Sequence, residues 1–145
     1  MFYEKMGDTY AVRLKRGEEI MESLKRLCER EAIETAEVSG IGAADLAEVG
    51  LYSVSERAYH KTRIEEEMEI TSILGNVTRK DGEVYLHLHI NLGLPDTTVR
   101  GGHLNLCRIS GTCEMFVRVL PGKIGRELDE ETGLNVFAFS DGEDK

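Results

Sequence analysis

The sequence predicts an α+β domain made mostly of antiparallel β-sheet, with one amphipathic helix near its start. Three observations carry that class. Helical spacing of apolar residues is confined to the segment that Gly17-Glu18-Glu19 opens, short β-like runs take over beyond Ala32, and glycine or Asp-Gly separates those runs. The chain has 145 residues, enough to bury a core without disulfides or a structural metal. Residues 1–140 are therefore expected to form one domain, and Asp141-Gly-Glu-Asp-Lys145 a loose acidic tail.

Tyr10-Ala-Val-Arg-Leu14 reads as the first strand. In the helix that follows, Ile20, Met21, Leu24, Leu27 and Cys28 form an apolar stripe that should pack on a sheet. Glu18, Glu19 and Glu22 lie early in it and Lys25, Arg26 and Arg30 late, an order that complements the helix dipole. The strand candidates are then 35–39, 46–54, 59–64, 68–77, 84–92, 103–109, 112–120 and 134–139. Lys80-Asp81-Gly82 supplies residues that tolerate positive φ and reads as a hairpin turn. Ser39-Gly40-Ile41-Gly42-Ala43 reads as a glycine-permitted bend or bulge. It is not a phosphate-cradling loop, because no Lys-Ser/Thr pair or helix-opening sequence follows.

Composition narrows the function classes. No apolar run approaches the roughly 20 residues needed to span a bilayer, and the first residues lack the basic-then-apolar pattern of an export signal, so the expected compartment is the cytoplasm. Cys28, Cys107 and Cys113 form no even set and no Cys-x-x-Cys pair, which suits buried thiols in a reducing environment. The formal charge of −9 opposes unaided duplex binding, which needs Lys and Arg to displace counterions from phosphates. A basic patch would have to come from Arg57, Lys61 and Arg63 on one strand face, or from Arg79 and Lys80 at the hairpin, with Glu56 and Glu65 to Glu67 close by in sequence.

The most informative stretch is Val84 to Leu92. Alternation puts Val84, Leu86, Leu88, Ile90 and Leu92 on a core face and Tyr85, His87, His89 and Asn91 on the other, with the two imidazoles about 7 Å apart at Cα. A third imidazole, His103, follows Arg100-Gly101-Gly102, whose glycines let backbone pass close to a neighbour. If its strand returns beside the first, His87, His89 and His103 make a three-histidine set with an open fourth position, the arrangement of catalytic rather than closed structural zinc sites. Two alternatives accompany this reading: the histidines are ordinary solvated strand residues, or Cys107, which shares alternation parity with His103, joins as a ligand. Glu69, between Met68 and Ile70, is the candidate carboxylate near the site, as ligand or as base. His60 stands alone and is left out.

Taken together, the helix ending at Cys28, Ala36-Glu-Val-Ser-Gly-Ile-Gly-Ala43, Met68-Glu-Ile-Thr-Ser-Ile-Leu-Gly-Asn76, His87-Leu-His89, Gly101-Gly-His-Leu104 and Thr112-Cys-Glu114 resemble the PPC domain, the plant and prokaryote conserved domain also found in plant AT-hook nuclear proteins. The resemblance runs along nearly the whole chain. It implies an antiparallel α+β fold, a homotrimer, and in prokaryote-type members zinc held by histidines matching His87, His89 and His103. The plant features are incomplete here. There is no Arg-Gly-Arg-Pro hook, and the plant Gly-Arg-Phe-Glu-Ile pattern appears as Glu66-Glu-Met-Glu-Ile70.

These readings leave two main function classes, with unaided DNA binding, favoured by the resemblance and opposed by the charge, as a third. One is a trimeric zinc-binding module with a regulatory or DNA-associated role; the other is a small zinc-dependent enzyme whose open metal position polarises water or a carbonyl. Ile73, Phe116 and Phe137 are the residues expected to leave apolar strand surface for subunit contact.

Overall fold

The computed structural model describes residues 1–139; the expected acidic tail at 141–145 lies outside them. In chain order the elements are β1 (Phe2–Met6), β2 (Thr9–Lys15), α1 (Ile20–Arg30), β3 (Ala36–Ser53), β4 (Ala58–Ile64), β5 (Met68–Lys80), β6 (Glu83–Gly93), β7 (Val99–Val119), β8 (Gly125–Leu128) and β9 (Asn135–Ala138). All strand pairs are antiparallel, so the expected class holds. The main sheet runs β1-β2-β7-β6-β5-β3-β4, and β7 pairs β3 as well, which closes β3, β5, β6 and β7 into a ring. The β8–β9 hairpin forms its own two-stranded sheet.

The helix begins where its charges predict. Glu19 is the N-cap, accepting from the backbone N–H groups of Met21 and Glu22, and its Oε1 also accepts from the Cys107 N–H at 2.9 Å. One carboxylate thus ends the helix's unpaired donors and ties the helix to β7. Ile20, Leu24, Leu27 and Cys28 are fully buried, whereas Met21 only borders the core and Ser23 takes a buried place, with its hydroxyl accepting from Arg26. At the other end, the Arg79 guanidinium donates to the carbonyls of Cys28 and Ile33, satisfying acceptors where the helix stops.

Four expected strands are really two. The runs at 35–39 and 46–54 belong to the single long β3, and those at 103–109 and 112–120 to β7. The glycines bend the ladder instead of breaking it: register shifts fall between Gly40 and Gly42 against β5, and a Cβ on Gly42 would meet the Thr112 carbonyl oxygen at 2.5 Å. The expected turn at Lys80-Asp81-Gly82 is a tight hairpin in which Lys80 pairs with Glu83, with φ of 52° at Asp81 and 84° at Gly82. Two strands carried no alternation strong enough to announce them: β1, which hairpins onto β2 through Gly7, and the polar β8.

The core lies between α1 and the inner sheet face, with Leu88, Ile90 and Leu92 of β6 buried and Val84 and Leu86 packed against its margin. Ile73 is fully buried there, so it offers no surface for subunit contact. Leu74, one residue on, is the outward-facing side chain. The three cysteines are buried and unpaired, and burial pushes each thiol up to about 12, which leaves them inert.

Candidate metal centre

The histidines lie on the sheet face opposite the core. Strands β6 and β7 pair so that His89 stands directly opposite His103, while the β5 ladder sets Asn76 opposite His87 and Leu74 opposite His89. The backbone ahead of His103 runs very close to β3: a Cβ on Gly102 would meet the Gly50 carbonyl oxygen at 2.7 Å. Only glycine fits that approach, which seats His103 beside the other two rings.

The result is a compact trio. One ring nitrogen from each of His87, His89 and His103 lies within 4.8 Å of the others, and the ring centroids are 5.2 to 5.5 Å apart. The Nε2 atoms of His87 and His89 are 3.3 Å apart. Two nitrogens bound at about 2.0–2.1 Å to a tetrahedral zinc stand roughly 3.3 Å from each other, so the His87–His89 pair already has the spacing that ion needs. Burial, reinforced by the neighbouring His103 and His89 and by Arg126, lowers the His87 pKa to about 4; burial and His89 lower that of His103. Both shifts favour neutral imidazole, the form that ligates metal. Among the described residues, this is the one group of three or more His, Cys, Asp or Glu side chains close enough to share an ion.

The other sequence candidates fall elsewhere. Cys107 faces the core, because Glu48 pairs with Leu106 and Val49 with Leu104, leaving Asn105 as an extra residue that inverts the alternation after His103. Glu69 pairs with Gly93 and Ala43, five residues along β5 from Leu74, or about 17 Å of strand from the histidine level. His60 is exposed and bonded to Glu56.

Two flanking groups escaped the sequence reading. On one side Tyr59 of β4 meets the His103 ring edge-on at 6.0 Å, and its hydroxyl is hydrogen-bonded to the Asn105 side chain. On the other, Arg126 of β8 donates to the Asn76 Oδ1 at 2.6 Å, the Thr78 hydroxyl and the Asn135 carbonyl. Its guanidinium also lies over the rings of Tyr85 and Phe137. The bulge that turns Asn105 towards Tyr59 has no sequence signature, and Arg126 sits in a segment without hydrophobic period.

The sequence profile of the Plants and Prokaryotes Conserved (PCC) domain matches residues 1–121. Among solved structures, a metal-containing protein from Archaeoglobus fulgidus shares 34% identity over 96% of this chain and 99% of its own, with a TM-score of 0.86. A plant- and prokaryote-conserved protein from Pyrococcus horikoshii shares 31% identity over 97% of this chain and 96% of its own, at a TM-score of 0.85. A Bacteroides thetaiotaomicron protein with a provisional DNA-binding description shares 31% over 97% and 98%, at 0.93. No curated protein sequence matches the chain. The profile match and the shared architecture together place this chain in the plant and prokaryote conserved (PPC, or PCC) domain family.

Proposed function

We propose that this protein is a homotrimeric PPC-domain module that holds one zinc ion, or another divalent metal suited to imidazole, through His87, His89 and His103. The observation that carries the reading is the convergence of three imidazoles within 4.8 Å on an antiparallel strand pair, with burial holding the pKa values of His87 and His103 down. The metal-containing description of the Archaeoglobus relative supports it. Three protein ligands leave the fourth position for water or an exchangeable ligand.

A role in interaction or regulation within the cytoplasm fits the chain better than tight DNA binding. The expected basic patch is largely neutralised: Lys61 pairs with Glu48 and Arg63 with Glu65, while the Arg57 guanidinium donates to the carbonyls of Glu130 and Glu131. The provisional DNA-binding description of the Bacteroides relative argues on the other side. No helix among the described residues is long and apolar enough to cross a membrane.

Trimer formation is supported by an outward apolar band. Leu74, Ile41, Phe116 and Phe2 are all exposed. They fall in adjoining rows, because Ser39 lies opposite both Leu74 and Phe116, and Ile41 connects through Glu114 and Arg13 to Phe2. A groove of about 380 Å³ lined in part by Phe2, Val12, Met115 and Phe116 continues it. Apolar surface of this kind on a strand face marks an association site. Phe137, the third residue expected to serve contact, instead packs with Arg126 and Phe139 in the hairpin.

A second reading, a small zinc-dependent enzyme, rests on the fourth position that three protein ligands would leave open, together with Tyr59, whose ring stands edge-on to His103 and whose hydroxyl bonds to Asn105. Metal analysis of the purified full chain tests the shared part of both readings. Near-stoichiometric zinc per chain, lost in His87→Ala, is the expected result; a metal-free protein indifferent to added zinc overturns it.

A further inference from the structure

The β8–β9 hairpin lies beyond residues 1–121, the span of the family profile, yet it lays an arginine beside the histidines. Arg126 is held in place from several directions. Its Nε donates to Thr78, one Nη to the Asn135 carbonyl and the other to Asn76, and Asn76 stands directly opposite His87 on β5. The guanidinium lies over the rings of Tyr85 and Phe137, with its central carbon 4.7 and 4.4 Å from their centroids. Tyr85 is two residues before His87 and on the same face.

Among the described residues, every hydrogen-bond acceptor of this half-buried cation is neutral: a hydroxyl, a side-chain amide and a carbonyl. It differs in this from Lys61, Arg63, Arg108 and Arg118, which each face a carboxylate, and resembles Arg79, whose acceptors are the carbonyls of Cys28, Ile33 and Gly82. Among the described residues three hydrogen bonds use three of the five guanidinium N–H groups, which leaves two for a further acceptor. A fixed cation with spare donors next to the three imidazoles gives the site a positive field, which a divalent ion held there would strengthen.

We propose that Arg126 is a recognition residue for a small oxyanion, a carboxylate or phosphoryl group that occupies the open side of the three-histidine centre. The inference rests on the metal reading above, and its test separates the two. The anion would be held by the spare Arg126 donors beside a metal carried by the three histidines, so the hairpin would supply ligand selectivity that the histidines alone lack. Small carboxylates and phosphates are favoured over neutral ligands because both pair with a guanidinium through charge-assisted bonds.

The experiment uses the full chain loaded with cobalt(II), whose visible absorption reports the fourth ligand, and titrates acetate and inorganic phosphate in separate arms at constant ionic strength. Metal content is measured first, for wild type, Arg126→Gln, Arg126→Lys and Lys80→Gln. Lys80 donates to the Asn135 side chain, so Lys80→Gln removes a different cation and a different hairpin anchor away from the histidine level. The expected result is saturable binding of at least one anion by wild type, weakened about tenfold or more by Arg126→Gln, partly restored by Arg126→Lys, and changed by less than about threefold in Lys80→Gln. The arm that saturates at lower concentration assigns the carboxylate or the phosphoryl class. Equal affinity in wild type and Arg126→Gln, equal weakening in Lys80→Gln, or no response to either anion overturns the proposal. If the protein takes up no metal, the metal reading fails on its own. The anion titration then follows the Arg126 Nε–H resonance of the metal-free chain, where a saturable shift supports the proposal and none overturns it.

Discussion

His89 and His103 face each other across one rung of the β6–β7 ladder, with their rings 5.5 Å apart and nearly perpendicular at 88°. This pairing turns a sequence motif into a site. His87 and His89 would share a face on any strand, but the third imidazole arrives only because β7 returns antiparallel to β6 in this register.

Removing one imidazole should dismantle the centre. His87→Ala and His89→Ala are each expected to lower zinc content at least tenfold, read by elemental analysis after dialysis, with secondary structure unchanged by circular dichroism. Neither side chain is part of the buried core, so a large loss of fold in these variants would contradict the placement.

The same geometry sets a pH dependence. Folding holds the His87 pKa at about 4, below its ordinary 6.5, so the unfolded chain binds that proton more readily. The stability this group contributes to metal-free protein is complete above about pH 6.5 and is lost as pH falls towards 4. Urea midpoints of metal-free protein at pH 7, 6, 5 and 4 should therefore decline, and His87→Asn should flatten part of that decline. An equal slope in both proteins counts against burial as the cause of the shift.

Gly102 tests how the third ligand is seated. Gly102→Ala puts a methyl group against the Gly50 carbonyl, so β7 must move away from β3 just before His103. Zinc affinity should fall about tenfold or more while the melting temperature drops by only a few degrees, because Leu104 and Cys107 continue to anchor the strand in the core. A variant that binds zinc as tightly as wild type shows that the close approach is not needed.

The class, the helix, the hairpin turn and the His-x-His face were legible because each rests on local chemistry: spacing of three and four, Asp-Gly, and alternation by two. What stayed hidden depends on partners distant in sequence. The bulge at Asn105 is an extra residue in β7 opposite Glu48 and Val49, and it alone sends Cys107 inward; nothing in Leu104-Asn-Leu-Cys107 announces it. Parity also cannot say which face of a strand is inner, which is why Ile73, expected at the surface, is buried and its neighbour Leu74 is exposed. Arg126 gains its place from Asn76, Thr78 and Tyr85, dozens of residues earlier.

Subunit assembly offers a separate test. Sedimentation at micromolar concentration should give a trimer, and Phe116→Glu should shift it towards monomer, because a carboxylate would then occupy the exposed band beside Ile41 and Leu74. The number three follows family membership, and the band supplies the surface. A wild-type monomer by light scattering rejects the assembly.

Nucleic acid separates a family description from this chain's own charge. Its formal charge is −9, and the cations on β4 are engaged: Lys61 with Glu48, Arg63 with Glu65. Hydrogen bonding and attraction to Glu48 raise the Lys61 pKa, so the cation stays charged and committed to its partner at neutral pH. Duplex binding would have to break such pairs before any phosphate could be neutralised, and each phosphate contact gains its free energy from counterion release that an acidic surface opposes. Affinity for duplex DNA should then be no tighter than the non-specific range of roughly 10⁻⁴ to 10⁻⁶ M at physiological salt, and should vanish as salt rises. Fluorescence anisotropy with an AT-rich and a GC-rich duplex measures this directly on zinc-loaded protein. Submicromolar, sequence-dependent binding at about 150 mM salt, abolished by the double change Arg57→Ala with Arg63→Ala, would reverse the charge argument and make β4 and its preceding turn a DNA-contacting edge.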